Sequence, residues 1–246
     1  MTSVTHPRSI DLNADVGEGG ARDALLFASG ITSANVACGA HAGDDATMIE
    51  ACALAVRHGV ALGAHPGYAD RENFGRAEYP LELARLGILV GDQMRVLQAH
   101  ARRAGLVIRH VKPHGALYHF LNREAEHALL FAASVKALAT GAAIFGPPAG
   151  ELREACDVAG VRFVAEGFID RGYRGDGSLI PRGEPGAELH DETAAVAQAL
   201  ALARSGRVQT LCVHGDGVAA ARLLAAARAA LAAEGFRLSA PASVSR

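Results

Sequence analysis

Seven short apolar runs alternate with amphipathic stretches along this chain of 246 residues, and nearly every run ends on polar side chains. The runs are RSIDLNAD (8–15), SANVACG (33–39), VALGAH (60–65), LVIRHVKP (106–113), AAIFG (142–146), VRFVAEGF (161–168) and VQTLCVHG (208–215). Helical periodicity between them predicts helices over 44–58, 81–104, 123–138, 191–203 and 218–233, and another opened by PPAG and ending near 158. Strands joined in this way pair in parallel through right-handed crossovers. Their apolar character fits a sheet covered on both faces. An open doubly wound sheet would gather its polar groups at one switch point. Here they follow almost every strand, which favours an α/β fold closed into a distorted seven-stranded parallel β/α barrel, one domain spanning 1–246. The connections 66–80 and 168–190 are long, as segments serving a site often are. The tail RLSAPASVSR is expected to be poorly ordered.

Four histidines occupy the same place in four such units: His41, His65, His114 and His214. At the carboxyl ends of barrel strands they converge on one rim, where barrel enzymes keep their chemistry. Other polar residues join them. Asp11, Asn13 and Asp15 alternate along the first strand and so share its inward face, with Glu18 just beyond. They fit either a carboxylate site or a hydrogen-bonded plug in the barrel floor, because bare polar groups there are costly. Asn35 and Asp44 flank the second strand, and Asp44 suits a helix cap equally well. Lys112 is one of only two lysines, the other being Lys136, in a chain that otherwise uses arginine. It shares a strand face with His114. It suits a fixed charge on a substrate carbonyl or a buried ion pair with Asp11 or Asp15. Glu166, Asp170 and Arg171 follow the sixth strand, and Asp216 follows His214.

Composition excludes several classes. A net charge of −2 gives no electrostatic case for nucleic acid or an anionic membrane. No apolar run approaches the roughly 20 residues that span a bilayer, and the first residues lack the apolar core of a signal peptide. Cys38, Cys52, Cys156 and Cys212 have no CxxC spacing and read as reduced, buried thiols. A cytoplasmic protein is the expectation. The chain has no GxxxxGK[ST] loop, no GxGxxG after a strand and no GxSxG elbow. A rim of His, Asp, Glu and Lys then points to hydrolysis, in which a positioned or metal-bound water attacks a carbonyl and an acid protonates the leaving nitrogen.

The motifs IDLNADVGE, TSANVACGAHAGD, GAHPGY, FGR, HVKPHGALY, DRGYRGDGSLIPR, PGA and VHGD, in this order, resemble the LamB/YcsF family of 5-oxoprolinase A subunits from about Ile10 to Phe236. The resemblance implies a barrel similar to the glycoside hydrolase/deacetylase class. It also implies ATP-dependent opening of the lactam of 5-oxoproline to L-glutamate, with ATP and Mg used by a complex with subunits B and C. It carries over Asp11, Asn13, Asp15, Glu18, Asn35, His41, Asp44, His65, Lys112, His114, Asp170, Arg171, Arg182, His214 and Asp216. On this basis Asp11, Asp15, His41, His65, Lys112 and His114 are the expected catalytic set. Asn13, Glu18, Asn35, Asp44, Glu166, Asp170, Arg171, Arg182, His214 and Asp216 are expected to bind substrate. The sequence departs from the family at Ala14 (usually cysteine), Ala40 (commonly phenylalanine) and Gly217 (commonly asparagine). It also has a shorter segment after GEGG and lacks an insertion before the last strand. An alternative is a stand-alone metal-dependent deacetylase or amidase with Asp15, His41 and His65 as ligands and Asp11 as base. A non-catalytic, carbohydrate-binding barrel is a third.

Overall fold

The structure, a computed structural model, describes residues 8–19, 22–214 and 219–242. Seven parallel strands close into a ring: β1 (Ser9–Val16), β2 (Ser33–Ala37), β3 (Ala61–His65), β4 (His110–Val111), β5 (Ala143–Gly146), β6 (Phe163–Phe168) and β7 (Thr210–Val213). They follow one another in sequence order, and β1 pairs with both β7 and β2 to complete the barrel. Around it lie α1 (Asp23–Ala28), α2 (Asp45–His58), α3 (Leu83–Arg103), α4 (Gly115–Leu121), α5 (Ala125–Leu138), α6 (Glu151–Ala159), α7 (Glu192–Ser205) and α8 (Ala220–Ala233). No helix among the described residues is long and apolar enough to cross a membrane.

Strand alternation divides the interior into two compartments. Ile10, Leu12, Ala14 and Val16 of β1 face outward and join the main core with residues such as Phe27, Met48, Met94, Phe131 and Leu224 from the helices. Asp11, Asn13 and Asp15 face inward, as their spacing predicts, and all three are buried. The β5–β6 side of the barrel interior is apolar, with Ala143, Phe145 and Val164 packed together. The polar groups of β7, β1 and β2 crowd the other side, joined by Glu166 from β6 and by His110 and Lys112 from the β4 segment. All four cysteines are buried and unbridged.

Several elements differ from the sequence expectation. The fourth strand keeps only two ladder residues, because Pro113 has no N–H to donate and Gly115 turns the chain at a positive φ of 53°. The helix expected over 123–138 forms as α5, and an additional short helix, α4, precedes it, with Asn122 to Glu124 between them. The short helix α1 follows the first turn, where no helix was expected. The tail is not wholly irregular. Arg237–Leu238 forms β8 and pairs in parallel with Ser9 and Ile10 at the start of β1.

The floor of the barrel centres on Asp11. Its carboxylate accepts hydrogen bonds from the hydroxyls of Thr32, Ser33 and Thr210. Burial pushes its pKa up to about 6 from 3.8, against these hydrogen bonds and with help from the negative charge of Glu166. The folded chain therefore holds this proton where the unfolded chain has lost it. The resulting stability is fully present below about pH 3.8 and is lost as pH rises through about 6. Asn fits the same ring of hydroxyls, since each can rotate to accept. We expect Asp11→Asn to be more stable than the parent near pH 8, by up to about 3 kcal/mol, with the gain vanishing toward pH 4. Chemical unfolding followed by circular dichroism at both pH values checks this, and a pH-independent loss of stability would contradict it.

One layer above, β3 carries Gly63, and the imidazole of His110 from β4 fills the space where a side chain would be. A Cβ at Gly63 would fall inside that ring. Gly63→Ala must displace a buried histidine that stacks on Phe145 at 4.2 Å and bonds Asn35 Oδ1 at 2.8 Å. Its expected cost is about 1–3 kcal/mol, the scale for overpacking a tight core. The same unfolding experiment at a single pH measures it.

Candidate active site at the carboxyl rim

The interior polar side chains stack in layers above the Asp11 floor. In the middle layer Asn13 Nδ2 donates to Glu166 Oε1 at 2.9 Å and to Thr210 Oγ1 at 2.7 Å. Asn35 Nδ2 donates to Asn13 Oδ1 and to Asp15 Oδ1. Above them Lys112 lies inside the barrel mouth. Its ammonium is 3.0 Å from Asp15 Oδ1, 3.1 Å from Glu166 Oε1 and 3.0 Å from Cys212 Sγ, and it sits over the ring of Phe168. Burial alone would strip its proton. The charge of Asp15, followed by Cys212 and Glu166, instead holds its pKa well above the ordinary lysine value. Asp15 is the reciprocal case: burial would protonate it, but His65 and Lys112 hold it well below the usual carboxylate range. The buried ion pair foreseen for Lys112 exists, with Asp15 and Glu166 rather than Asp11.

Beside this centre three histidines gather around Glu18. His65 Nδ1 donates to the carbonyl of Lys112 at 2.7 Å, and its Nε2 lies 3.4 Å from Asp15 Oδ2. His114 Nε2 donates to the carbonyl of Phe74 at 2.8 Å. The ring of His41 stacks on that of His114 at 3.7 Å, with an interplanar angle of 2°. Burial, reinforced by the neighbouring His65, pushes the pKa of His41 down to about 3 and that of His114 well below its usual value. Both rings are therefore neutral bases. The loop after β3 closes over them. Its Phe74 adopts a positive φ of 56°, unusual for an aromatic residue, and presents both its carbonyl and its ring to the cluster. Arg71 ties the same loop to the carbonyls of Gly39 and Gly43 beyond β2.

A cavity of about 510 Å³ opens above Asp15, His65, Lys112 and His114, a size suited to a small-molecule ligand. Arg76, Arg123, Arg171 and Arg182 reach its lining, against Glu78 and Asp15, so it favours an anionic ligand. Arg171 is itself buried and anchors the long loop after β6 through the carbonyls of Ala187 and Ile180. Arg182 pairs with Glu188 at 2.6 Å. At the far edge His214 stacks on Phe168, and its Nδ1 lies 3.1 Å from Asp170. Burial would raise the pKa of Asp170, but the charge and hydrogen bonds of His214 hold it low.

The structure thus brings together Asp15, Glu18, His41, His65, Lys112, His114, Glu166, Asp170, Arg171, Arg182 and His214. Asn13 and Asn35 lie beneath, orienting the carboxylates. Two residues do not join the rim. Asp11 is sealed into the floor, one layer below Asn13, where the hydroxyls of Thr32, Ser33 and Thr210 occupy its carboxylate and it does not line the cavity. Asp44 is exposed and forms a capping box with Thr47 at the start of α2. Asp216 and Gly217 lie outside the described residues. Sequence reasoning missed His110 and Cys212. The alternation that joined Lys112 to His114 also puts His110 on the same face. Cys212 lies two residues before His214 and faces inward by the same rule.

Comparison with known proteins places these motifs. The sequence profile of the LamB/YcsF family matches residues 10–246. The chain is 43% identical to the 5-oxoprolinase A subunit of Methylococcus capsulatus over 251 aligned positions, covering 95% of this chain and 96% of the relative. The crystal structure of the lactam utilization protein from Thermus thermophilus superposes with a TM-score of 0.88 at 37% identity, over 95% of this chain and all of that one. The peptidoglycan deacetylase PdaC of Bacillus subtilis shares the fold at a TM-score of 0.55 and 13% identity, over 95% of this chain and 88% of that one. The chain belongs to the LamB/YcsF family.

Proposed function

We propose that this chain is the lactam-binding and lactam-opening component of a cytoplasmic, ATP-dependent 5-oxoprolinase, working with subunits B and C. The observation that carries the reading is the near full-length 43% identity to a 5-oxoprolinase A subunit, joined to a cavity whose floor holds a fixed ammonium between two carboxylates. The opening of 5-oxoproline to glutamate breaks the lactam C–N bond, adds the oxygen of water to the carbon and delivers a proton to the nitrogen. In this reading the cationic lining takes the substrate carboxylate, with Arg171 and Arg182 nearest the long loop. Lys112 faces the lactam oxygen, where negative charge grows as water adds, and stabilises the transition state more than the ground state. His114, with His65 and Asp15 beside it, is placed to take the proton from water and return one to the departing nitrogen. The amide is stable, so coupling to ATP supplies the driving force. With no phosphate loop in this sequence, Mg-bound ATP is assigned to the assembled complex rather than to this chain alone.

The test is reconstitution. The chain mixed with its B and C subunits should release glutamate from 5-oxoproline only when ATP is present, and the chain alone should release almost none. Robust ATP-independent deacetylation of an acetylated sugar by the chain alone would overturn the reading. Within the active complex, Lys112→Met should lower turnover by roughly two orders of magnitude, the scale for losing one such donor. Lys112→Arg should rescue poorly, because a planar guanidinium does not replace a point charge. Lys112→Met also leaves Asp15 and Glu166 without their cation and should destabilise the chain by about 3–5 kcal/mol. Turnover per folded molecule and melting temperature, measured on one preparation, separate the two effects. A normal rate in the folded fraction would end the catalytic role.

A further inference from the structure

We propose that Glu18, His41, His65 and His114 bind one divalent transition-metal ion of the zinc class. The four residues each offer a ligand atom, and these atoms lie within 4.8 Å of one another. The hydrogen bonds of two of the rings make the case. A backbone carbonyl only accepts, so His65 Nδ1, facing the Lys112 carbonyl, carries that ring's hydrogen, and His114 Nε2, facing the Phe74 carbonyl, does likewise. The remaining ring nitrogens, His65 Nε2 and His114 Nδ1, are the ones free to bind a ligand. Those two nitrogens face each other at 2.9 Å. With nothing between them, nitrogens this close repel, so a positive centre belongs there.

Glu18 adds the charge that such a centre attracts. Its Oε1 lies 3.5 Å from His114 Nδ1, 3.6 Å from His41 Nε2 and 4.0 Å from His65 Nε2. Ligand atoms about 2.0–2.1 Å from a tetrahedral zinc ion stand roughly 3.3 Å apart. Here His65 Nε2 and His114 Nδ1 are 2.9 Å apart, Glu18 lies 3.5–4.0 Å from the three rings, and the whole set stays within 4.8 Å, so small side-chain shifts bring it to that spacing. Backbone carbonyls that fix the far nitrogen of ligand histidines are the usual support of a metal site. His41 is 1% exposed, and neither of its ring nitrogens has a hydrogen-bond partner. It stacks on His114 now, and a turn of its side chain brings Nε2 toward the ion without breaking a hydrogen bond. Gly67 and Gly75 permit the close packing around it, since a Cβ on either would fall 2.8 Å from a His41 atom. Three imidazoles and one carboxylate suit Zn²⁺, Co²⁺ or Ni²⁺ better than Mg²⁺ or Ca²⁺.

This set differs from Asp15, His41 and His65. Asp15 Oδ1 is committed to Lys112 and Asn35, and although its Oδ2 lies 3.4 Å from His65 Nε2, Asp15 is not part of the group whose ligand atoms converge within 4.8 Å. An ion held by Glu18 and the histidines would supply Lewis acidity at the cavity edge. The site itself stands without the lactam reading, and its test needs neither ATP nor the partner proteins.

The experiment titrates chelator-treated protein with ZnCl₂ by calorimetry and with CoCl₂ by visible absorption. We expect one equivalent bound tightly, a cobalt spectrum of low coordination number with histidine ligands, and a rise in melting temperature. Glu18→Gln and His114→Gln should each weaken binding by at least about 10-fold, whereas Asp15→Asn and the exposed His190→Gln should keep one tight site. Circular dichroism checks that the variants fold. Should both ligand variants fail to fold, zinc-dependent shifts of the ring nitrogens of His41, His65 and His114 in the parent protein give the answer by nitrogen NMR. Binding no tighter than that of surface histidines, loss through Asp15→Asn but not Glu18→Gln, or a His65 imidazolium that zinc leaves unchanged would overturn the proposal. The last result would show that a proton bridges the two rings.

Discussion

A lysine ammonium inside a barrel is tolerable only if its charge is matched, and the geometry of this rim follows from that requirement. Lys112 is 2% exposed and lies within 3.1 Å of two carboxylates. Removing any member would leave buried charge uncompensated, which costs far more than the intact set contributes. Asp15 and Glu166 are in turn held by the amides of Asn35 and Asn13. Asn35 receives His110, and Asn13 reaches Thr210. The polar column from floor to mouth is one connected network, and its cohesion fixes where the rim groups point.

Much of this was legible in the chain. Alternation on β1 assigned Asp11, Asn13 and Asp15 to the inside, and repeated strand-end histidines located the rim. What alternation cannot give is height within the barrel. Asp11 and Asp15 look equivalent in sequence, yet one is a structural acid in the floor and the other faces the cavity. Asp44 illustrates a different limit. Its spacing to Thr47 makes a helix cap, and a residue next to a site motif in sequence need not share its space. Glu18 lies past the end of β1, where strand periodicity no longer predicts direction, so its place among three histidines became visible only in three dimensions.

The smaller misreadings have local causes. Helix α1 is too short for periodicity to reveal, and α4 is a single short helix that begins one residue beyond His114, which was expected at the end of the fourth strand. Strand β8 is two residues long and exists because β1 offers it a free edge at Ser9 and Ile10. Such elements are decided by tertiary partners rather than by their own sequence.

Gly63 and His110 share one parcel of space on adjacent strands. The missing side chain of the first is the room occupied by the second, and through that ring the apolar wall at Phe145 is tied to the amide of Asn35. Neither residue can drift alone as sequences diverge. A barrel of this kind that acquires a side chain at the first position must surrender the imidazole at the second, and with it the bridge between its oily and its hydrophilic halves.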